Sequence, residues 1–398
     1  MKLAVVSHKV CWNSPDALDS YRTDGGFPMQ IRAISELFDE TCVVVPCENS
    51  GDQNGLSPLA GHNLFVSPLS VPSGRGFRRK MNIPIWLLKN SRSIWRALSR
   101  ADAVHTAIPG DVGTIGMLFA LVMRKPLFVR HCGNWLVPRT AAEHLWKWLM
   151  ELCAGGRNVM LATGGTNSPP SSKNPYVKWI FSTSLRRTQL AAGRPRKFPE
   201  NGKLKLIVAC RQEEGKGTDT VIKSLPLILK QFPGATLEVL GNGSFMTDLE
   251  ALVEQLDLRN IVFFRGRVEQ TKVVETMKLS HVFCFPTQAS EGFPKVVLEA
   301  LACGLPVITT KVSVLPQLIG VDCGILLEEP KPENLVSAIE NVFSSAQKYE
   351  GMSAAAVAKA RQYSLENWRD SIGETLRRSW KVSSLSSTAT PSKAIKQT

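Results

Sequence analysis

The chain has 398 residues, of which 43% are hydrophobic and 21% charged. At roughly 100–200 residues per domain this length suits two or three domains with full cores, and the composition excludes wholesale disorder and fibrous repeats. The unusual quantity is charge: 48 Lys and Arg against 34 Asp and Glu leave +14. Such a surplus predicts an anionic partner, whether nucleic acid, a membrane surface or a phosphorylated ligand.

In chain order, a short apolar strand at 2–7 leads through a polar loop with Gly25-Gly26 into a helix from Pro28 to Phe38. A second strand follows at Cys42–Pro46. Apolar runs at 103–105 and 126–130 bracket a helix over 111–123, and Asn158–Ala162 reads as a further strand. Short, uniformly apolar strands alternating with helices predict a parallel sheet covered on both faces. From 182 to 203 the periodicity stops and basic pairs such as Arg186-Arg187 appear, which predicts a linker. The alternation then restarts. Strands at 205–209, 236–240, 261–264, 282–285 and 307–310 are interleaved with helices at 218–231, 246–256, 270–279, 294–303 and 332–344.

The expected fold class is therefore α/β, with doubly wound domains at 1–185 and 204–365 joined by the 186–203 linker. A helix at 366–380, carrying Trp368 and Trp380, is expected to pack back on the first domain, and the Ser/Thr/Lys-rich stretch 381–398 to form a disordered tail. Ligands of such sheets bind at the carboxyl ends of the strands, so the site is expected in a cleft between the domains.

Nine scattered cysteines without a C-x-x-C pair read as buried free thiols of a reducing compartment. The first apolar run is too short for a signal-peptide core, and the longest nearly uncharged stretch, Val112–Met123, is too short to cross a bilayer. The expected location is cytoplasmic, peripheral on the inner face of the plasma membrane.

The most informative stretch runs from Ser290 to Pro306. Pro294 suits the first turn of a helix and Gly304 its stop, so Glu291, Gly292 and Phe293 fall in the loop before a helix amino end, where free amides and the dipole favour phosphate. Glu299 lies further along among Val296, Val297, Leu298, Ala300, Leu301 and Ala302, and a carboxylate in such company needs a partner.

Glu291 and Glu299, eight apart within E-G-F-P-x-x-x-L-E-A, resemble the signature of the family 4 glycosyltransferases, retaining enzymes with the GT-B fold of two Rossmann-like domains facing across a cleft. The resemblance implies that Glu291 contacts donor-sugar hydroxyls and Glu299 the nucleotide ribose. Arg211 and Lys216, in the turn after the strand at 205–209, match the pair that neutralises the donor diphosphate. Gly241 and Gly243 match the tight loop under the donor, and Arg267-Val268 the backbone contact to the base. Gly25 and Gly26 match a loop that approaches the diphosphate from the other domain. His105 and His131 each end a strand. The family's H-x-H has Ala107 at its second position here, so the catalytic role given to that histidine does not carry over, and His131 is the candidate for donor or acceptor contact.

The activity implied is transfer of a hexosyl unit, with retention, from a UDP- or GDP-linked sugar to a saccharide acceptor in bacterial surface polysaccharide or lipopolysaccharide synthesis. The departing phosphate oxygen helps take the acceptor's proton. No D-x-D motif is present and neither metal nor cofactor is expected. From Arg75 to Arg100 eight Lys/Arg and no acid are interleaved with Phe77, Trp86 and Trp95. This stretch is either an interfacial helix on anionic lipid, with a lipid-linked acceptor, or a solvated basic face with its Trp and Leu in the core. Two other readings stay open. One is a GT-B nucleotide-sugar epimerase. The other is a basic nucleic-acid- or membrane-binding protein, although no nucleic-acid-binding motif accompanies the basic stretch.

Overall fold

A computed structural model gives the fold, and it describes residues 1–13, 20–48, 56–74, 76–138, 140–166, 168–199, 203–289 and 292–386, with Phe77 described in its backbone only. The chain divides into two units. Unit 1 comprises Met1–Thr163, Ser168–Ile180 and Leu365–Thr398, and unit 2 comprises Gly164–Asn167 and Phe181–Ser364.

The elements up to residue 180 are β1 (Lys2–Val6), β2 (Cys11–Asn13), β3 (Tyr21–Thr23), α1 (Phe27–Ser35), β4 (Glu40–Glu48), β5 (Ser57–Pro58), β6 (Leu64–Leu69), α2 (Gly76–Arg100), β7 (Ala103–Ile108), α3 (Asp111–Val122), β8 (Leu127–His131), α4 (Ala141–Cys153), β9 (Asn158–Thr163) and β10 (Val177–Ile180). After them come α5 (Arg187–Ala191), β11 (Lys205–Ala209), α6 (Thr218–Gln231), β12 (Thr236–Leu240), α7 (Met246–Gln255), β13 (Val262–Gly266), α8 (Gln270–Leu279), β14 (Val282–Phe285), α9 (Lys295–Ala302), β15 (Val307–Thr310), α10 (Leu315–Leu318), β16 (Gly324–Leu327), α11 (Pro332–Val342), α12 (Ala346–Ala360) and α13 (Leu365–Trp380).

Unit 1 holds a parallel sheet in the order β6-β4-β1-β7-β8-β9-β10, with β2, β3 and β5 appended through a short pairing of β2 to the end of β4. Unit 2 holds a six-stranded parallel sheet, β13-β12-β11-β14-β15-β16. Unit 2 follows the doubly wound order, third-second-first-fourth-fifth-sixth, and unit 1 the same order with β10 added as a seventh strand. The winding reverses between β1 and β7 in one and between β11 and β14 in the other, which places a ligand crevice at the carboxyl ends of those strands.

Period-two alternation gives the central strands, among them β7, β8, β14 and β15, two buried faces. In unit 1, Ala4, Val6, Val104, Ile108 and Val129 form a core with Trp86, Ile94 and Leu98 of α2 and Val112 and Ile115 of α3. The intervening residues face α1 and α13, whose Ile31, Ile34, Trp368, Ile372 and Leu376 are buried. In unit 2, Leu206, Val208, Val239 and Cys284 pack on α6 and α11, while Ile207, Ala209, Phe283 and Phe285 pack on α9 and α12.

Three expectations change. The stretch 186–203 is not a free linker: it belongs to unit 2, where α5 buries Leu190 and the Arg196 backbone amide donates to Ser353 Oγ (2.7 Å). The expected tail begins later than 381, because Leu385 is buried, its carbonyl accepts from the Met1 amino group (3.0 Å), and Ser386 Oγ bonds Asp39 (3.3 Å). Residues 387–398 lie outside the described residues. The helix expected at 28–38 is α1, which closes at Ser35 because Leu37 and Phe38 turn back to donate to the carbonyls of Ile34 and Ser35.

Candidate active site

In unit 2 the crevice is framed by the loops after β11, β12 and β14. Gly217 caps α6 with φ of 86°, and a Cβ there would stand 2.3 Å from the Pro286 carbonyl oxygen, so the β11 loop reaches the end of β14 only with glycine at this position. Gly241 has φ of 108° and lies against the Cys210 carbonyl, where a Cβ would come to 1.8 Å. Gly215 ties the β14 loop down, its carbonyl accepting from the amides of Gln288 (2.8 Å) and Ala289 (3.2 Å).

Gln212 organises these loops, and nothing in the sequence marked it. Its side chain is fully buried. Nε2 donates to the carbonyls of Cys210 (3.1 Å) and Leu240 (2.9 Å), and Oε1 accepts from the Thr218 hydroxyl (2.7 Å). Its backbone bonds Asn242 and Phe245, so one residue couples the β11 turn, the loop that carries Gly241 and Gly243, and the first turn of α6. Lys216 is 9% exposed beside this strut, at the amino end of α6. Arg211 stands apart from it: its side chain is 75% exposed and pairs with Glu213 (2.9 Å).

Glu299 is on the second turn of α9, 8% exposed, and its Oε1 accepts from Gln270 Nε2 at 2.6 Å. Burial raises its pKa, opposed by the Gln270 hydrogen bond and the Lys295 charge. Gln270 opens α8, three residues beyond Arg267, and the Gly266 carbonyl accepts from the Gly241 amide (2.8 Å). The β12, β13 and α9 candidates are therefore brought into one neighbourhood. Val268 packs on the α9 core and Arg267 is exposed. Phe293 meets Tyr363 at 5.9 Å between ring centroids, and Gly292 precedes it. Glu291, the assigned sugar contact, lies outside the described residues.

In unit 1, Gly25 has φ of 69° and nothing within 4 Å of where a Cβ would stand, and Gly26 caps α1. Asp24, just before them, pairs with Lys9. His105 and His131 part company because they fall on opposite sheet faces. His105 stacks on Phe128 (4.1 Å), its Nδ1 lies 3.0 Å from the Phe128 carbonyl, and Arg130 Nε donates to its Nε2 (3.3 Å). It is a core residue, as is Arg130, whose guanidinium lies over Trp368 and donates to Gln30 (3.1 Å). His131 is buried edge-on against Trp135 (5.2 Å), and burial lowers its pKa to about 4, so the ring is neutral at pH 7.

The basic segment is a single 25-residue helix, α2, with two apolar stripes. Trp86, Ile94 and Leu98 face the core, whereas Met81, Ile85, Leu88 and Trp95 point outward, Leu88 being 79% exposed. The inner stripe matches the alternative that puts Trp and Leu in the core, and the outer one leaves a second apolar face exposed beside the basic residues. Arg79 is taken by a bidentate pair with Asp111 at the start of α3, through Nε (2.6 Å) and Nη2 (3.1 Å). No helix among the described residues is long and apolar enough to cross a membrane, and no three His, Cys, Asp or Glu among them form a metal-binding group.

Residues 193–359 match the family described as glycosyl transferases group 1. The chain is 34% identical over 116 residues to the gpi3 subunit of the phosphatidylinositol N-acetylglucosaminyltransferase of Schizosaccharomyces pombe, covering 29% of this chain and 25% of that protein. It is 28% identical over 157 residues to a GDP-mannose-dependent monoacylated alpha-(1-6)-phosphatidylinositol monomannoside mannosyltransferase of Corynebacterium glutamicum, covering 37% of this chain and 41% of that one. The matched stretches span between a quarter and a half of the curated relatives' length. Among solved structures, Anabaena Alr3699/HepE in complex with UDP has a TM-score of 0.68 at 16% identity, over 95% of this chain and all of that one. WaaG, a glycosyltransferase involved in lipopolysaccharide biosynthesis, has a TM-score of 0.62 at 14% identity, over 94% and 99%. The likeness is one of fold: two Rossmann-like units of the GT-B class.

Proposed function

We propose, from the match of residues 193–359 to the group 1 glycosyl transferases, that the protein transfers a hexosyl unit, with retention, from a UDP- or GDP-linked sugar to a saccharide acceptor. Lys216 supports this reading most directly: a nearly buried ammonium at the positive end of α6, against glycine-lined loops, is built to receive a diphosphate. Arg211, exposed and paired with Glu213, supplies a second cation for the same group. Glu299 takes the ribose hydroxyls, and Glu291 and Gly292 the sugar.

In this reaction the bond between the anomeric carbon and the phosphate oxygen breaks while the acceptor oxygen bonds to the same face. The acceptor's proton passes to the departing diphosphate. Positive charge on the leaving group does the work that a protein acid would otherwise do, so neither a metal nor a cofactor is required. His131 is neutral at pH 7, so it packs against Trp135 rather than serving as an acid.

The acceptor is lipid-linked and the enzyme works peripherally on the inner face of the plasma membrane, in surface polysaccharide or lipopolysaccharide synthesis. The outward stripe of α2, flanked by Arg78, Lys80, Lys89, Arg92, Arg96 and Arg100, suits an anionic bilayer. The named relatives that act on phosphatidylinositol compounds make the same acceptor class reasonable. The test is incubation of UDP- and GDP-sugars with vesicles carrying lipid-linked saccharides. Nucleoside diphosphate release, with a product linkage of the donor's anomeric configuration, is expected. Inverted linkage, a free epimer, or no release from any donor refutes the reading.

A further inference from the structure

We propose that Gln270 is a positioning residue for the nucleotide, acting through Glu299. The inference rests on the ribose role given to Glu299 above. A buried carboxylate has about four lone-pair sites to satisfy. Gln270 Nε2 takes one of them on Oε1 at 2.6 Å, and no described residue donates a hydrogen bond to Oε2. That half-satisfied state is suited to two vicinal hydroxyls, which would donate to the sites left over.

The choice of glutamine is specific. A lysine at 270 would neutralise the carboxylate and compete with the ribose, and an acid would repel it. A neutral amide keeps the group ionised and aimed without consuming its charge. Position supports the same role, because Gln270 is on the first turn of α8, just beyond Arg267-Val268, so one element would set both the base contact and the ribose acceptor. The charged and titratable neighbours are few. Lys295 on α9 itself acts on Glu299, Cys303 lies one turn further along α9, and Lys278 of α8 and Arg196 act on Cys303. None of these replaces the amide donor.

Gln270 is exposed, so its variants are expected to fold. UDP and GDP are titrated by calorimetry into wild type, Gln270→Leu, Gln270→Glu and Glu299→Ala across pH 5–8, and donor KM and kcat are measured on the same proteins. For Gln270→Leu, affinity for the nucleotide that binds falls by about tenfold, KM rises with little change in kcat, and the acid limb of binding moves to higher pH. For Gln270→Glu, affinity is lowest at high pH and recovers as the two carboxylates come to share a proton. Wild-type affinity and an unmoved acid limb in Gln270→Leu, alongside lost binding in Glu299→Ala, overturn this proposal and leave the ribose assignment standing. Unchanged binding in Glu299→Ala overturns the ribose assignment itself.

Discussion

Replacing Gln212 with Leu keeps side-chain volume and removes three hydrogen bonds from the floor of the donor loops. The losses are unequal. The Leu240 carbonyl still accepts from the Cys210 amide (3.1 Å), so it is not orphaned. The Thr218 hydroxyl loses its main partner, with the Cys210 thiol left near it at 3.9 Å. At about 1–3 kcal/mol per orphaned buried group, the variant should lose about 2 kcal/mol. For a unit of this size that corresponds to a fall of about 4–8 °C in Tm. Scanning calorimetry should show the fall in one transition, that of unit 2, with donor KM raised because the loops bearing Asn242 and Phe245 lose their anchor. Gln212→Glu should be worse, since an ionised carboxylate would face two carbonyl oxygens. A Tm within 2 °C of wild type for Gln212→Leu would refute the strut argument, whatever happened to activity.

Lys216→Ala and Glu299→Ala should each abolish transfer while leaving circular dichroism and Tm near wild type, and full activity in either would remove that residue from the site. For the membrane, Leu88→Asp with Ile85→Ser should abolish flotation with anionic vesicles at unchanged Tm. Arg79→Ser should instead lower Tm, because Arg79 is committed to Asp111. Burial holds His131 at about 4 against an unfolded value near 6.5, so its neutral form is favoured by folding. Stability is therefore flat above pH 6.5 and is lost as pH falls toward 4, by about 2 kcal/mol at pH 5 from this residue. Urea unfolding at pH 7 and pH 5 should show the slope, and His131→Phe should flatten it.

The second sheet was legible because its strands are short, apolar and evenly separated by helical stretches. In the first half the same signal is interrupted: the chain between β1 and α1 detours through β2 and β3, and Ser67 and Pro68 break the apolar run of β6. For the stretch that forms α2 the helix was one of two alternatives, because Pro84 and a doubled apolar pattern blur a single-faced periodicity. Among candidate site residues, those on loop backbone are marked in the sequence by glycine and charge at strand ends. Gln212 was not, since a glutamine in a polar turn looks solvated until its burial is seen. Gln270 was equally silent, because its meaning depends on a carboxylate 29 positions away.

Helix α13 lies at the far end of the chain yet completes the core of unit 1. Trp368 lies under Arg130, Trp380 meets Phe38 and Phe128, and its Nε1 donates to the Arg157 carbonyl (2.9 Å). Unit 2, by contrast, is nearly all one contiguous stretch, 181–364. During synthesis the order of assembly is therefore inverted: the half made second is finished first, and the half made first waits with part of one sheet face, the part α13 covers beside α1, exposed until residues 365–380 leave the ribosome. Throughout that interval Phe38 and Phe128 lack their Trp380 partner, so a ribosome stalled in unit 2 would present a chaperone with the older half of the protein rather than the newer one.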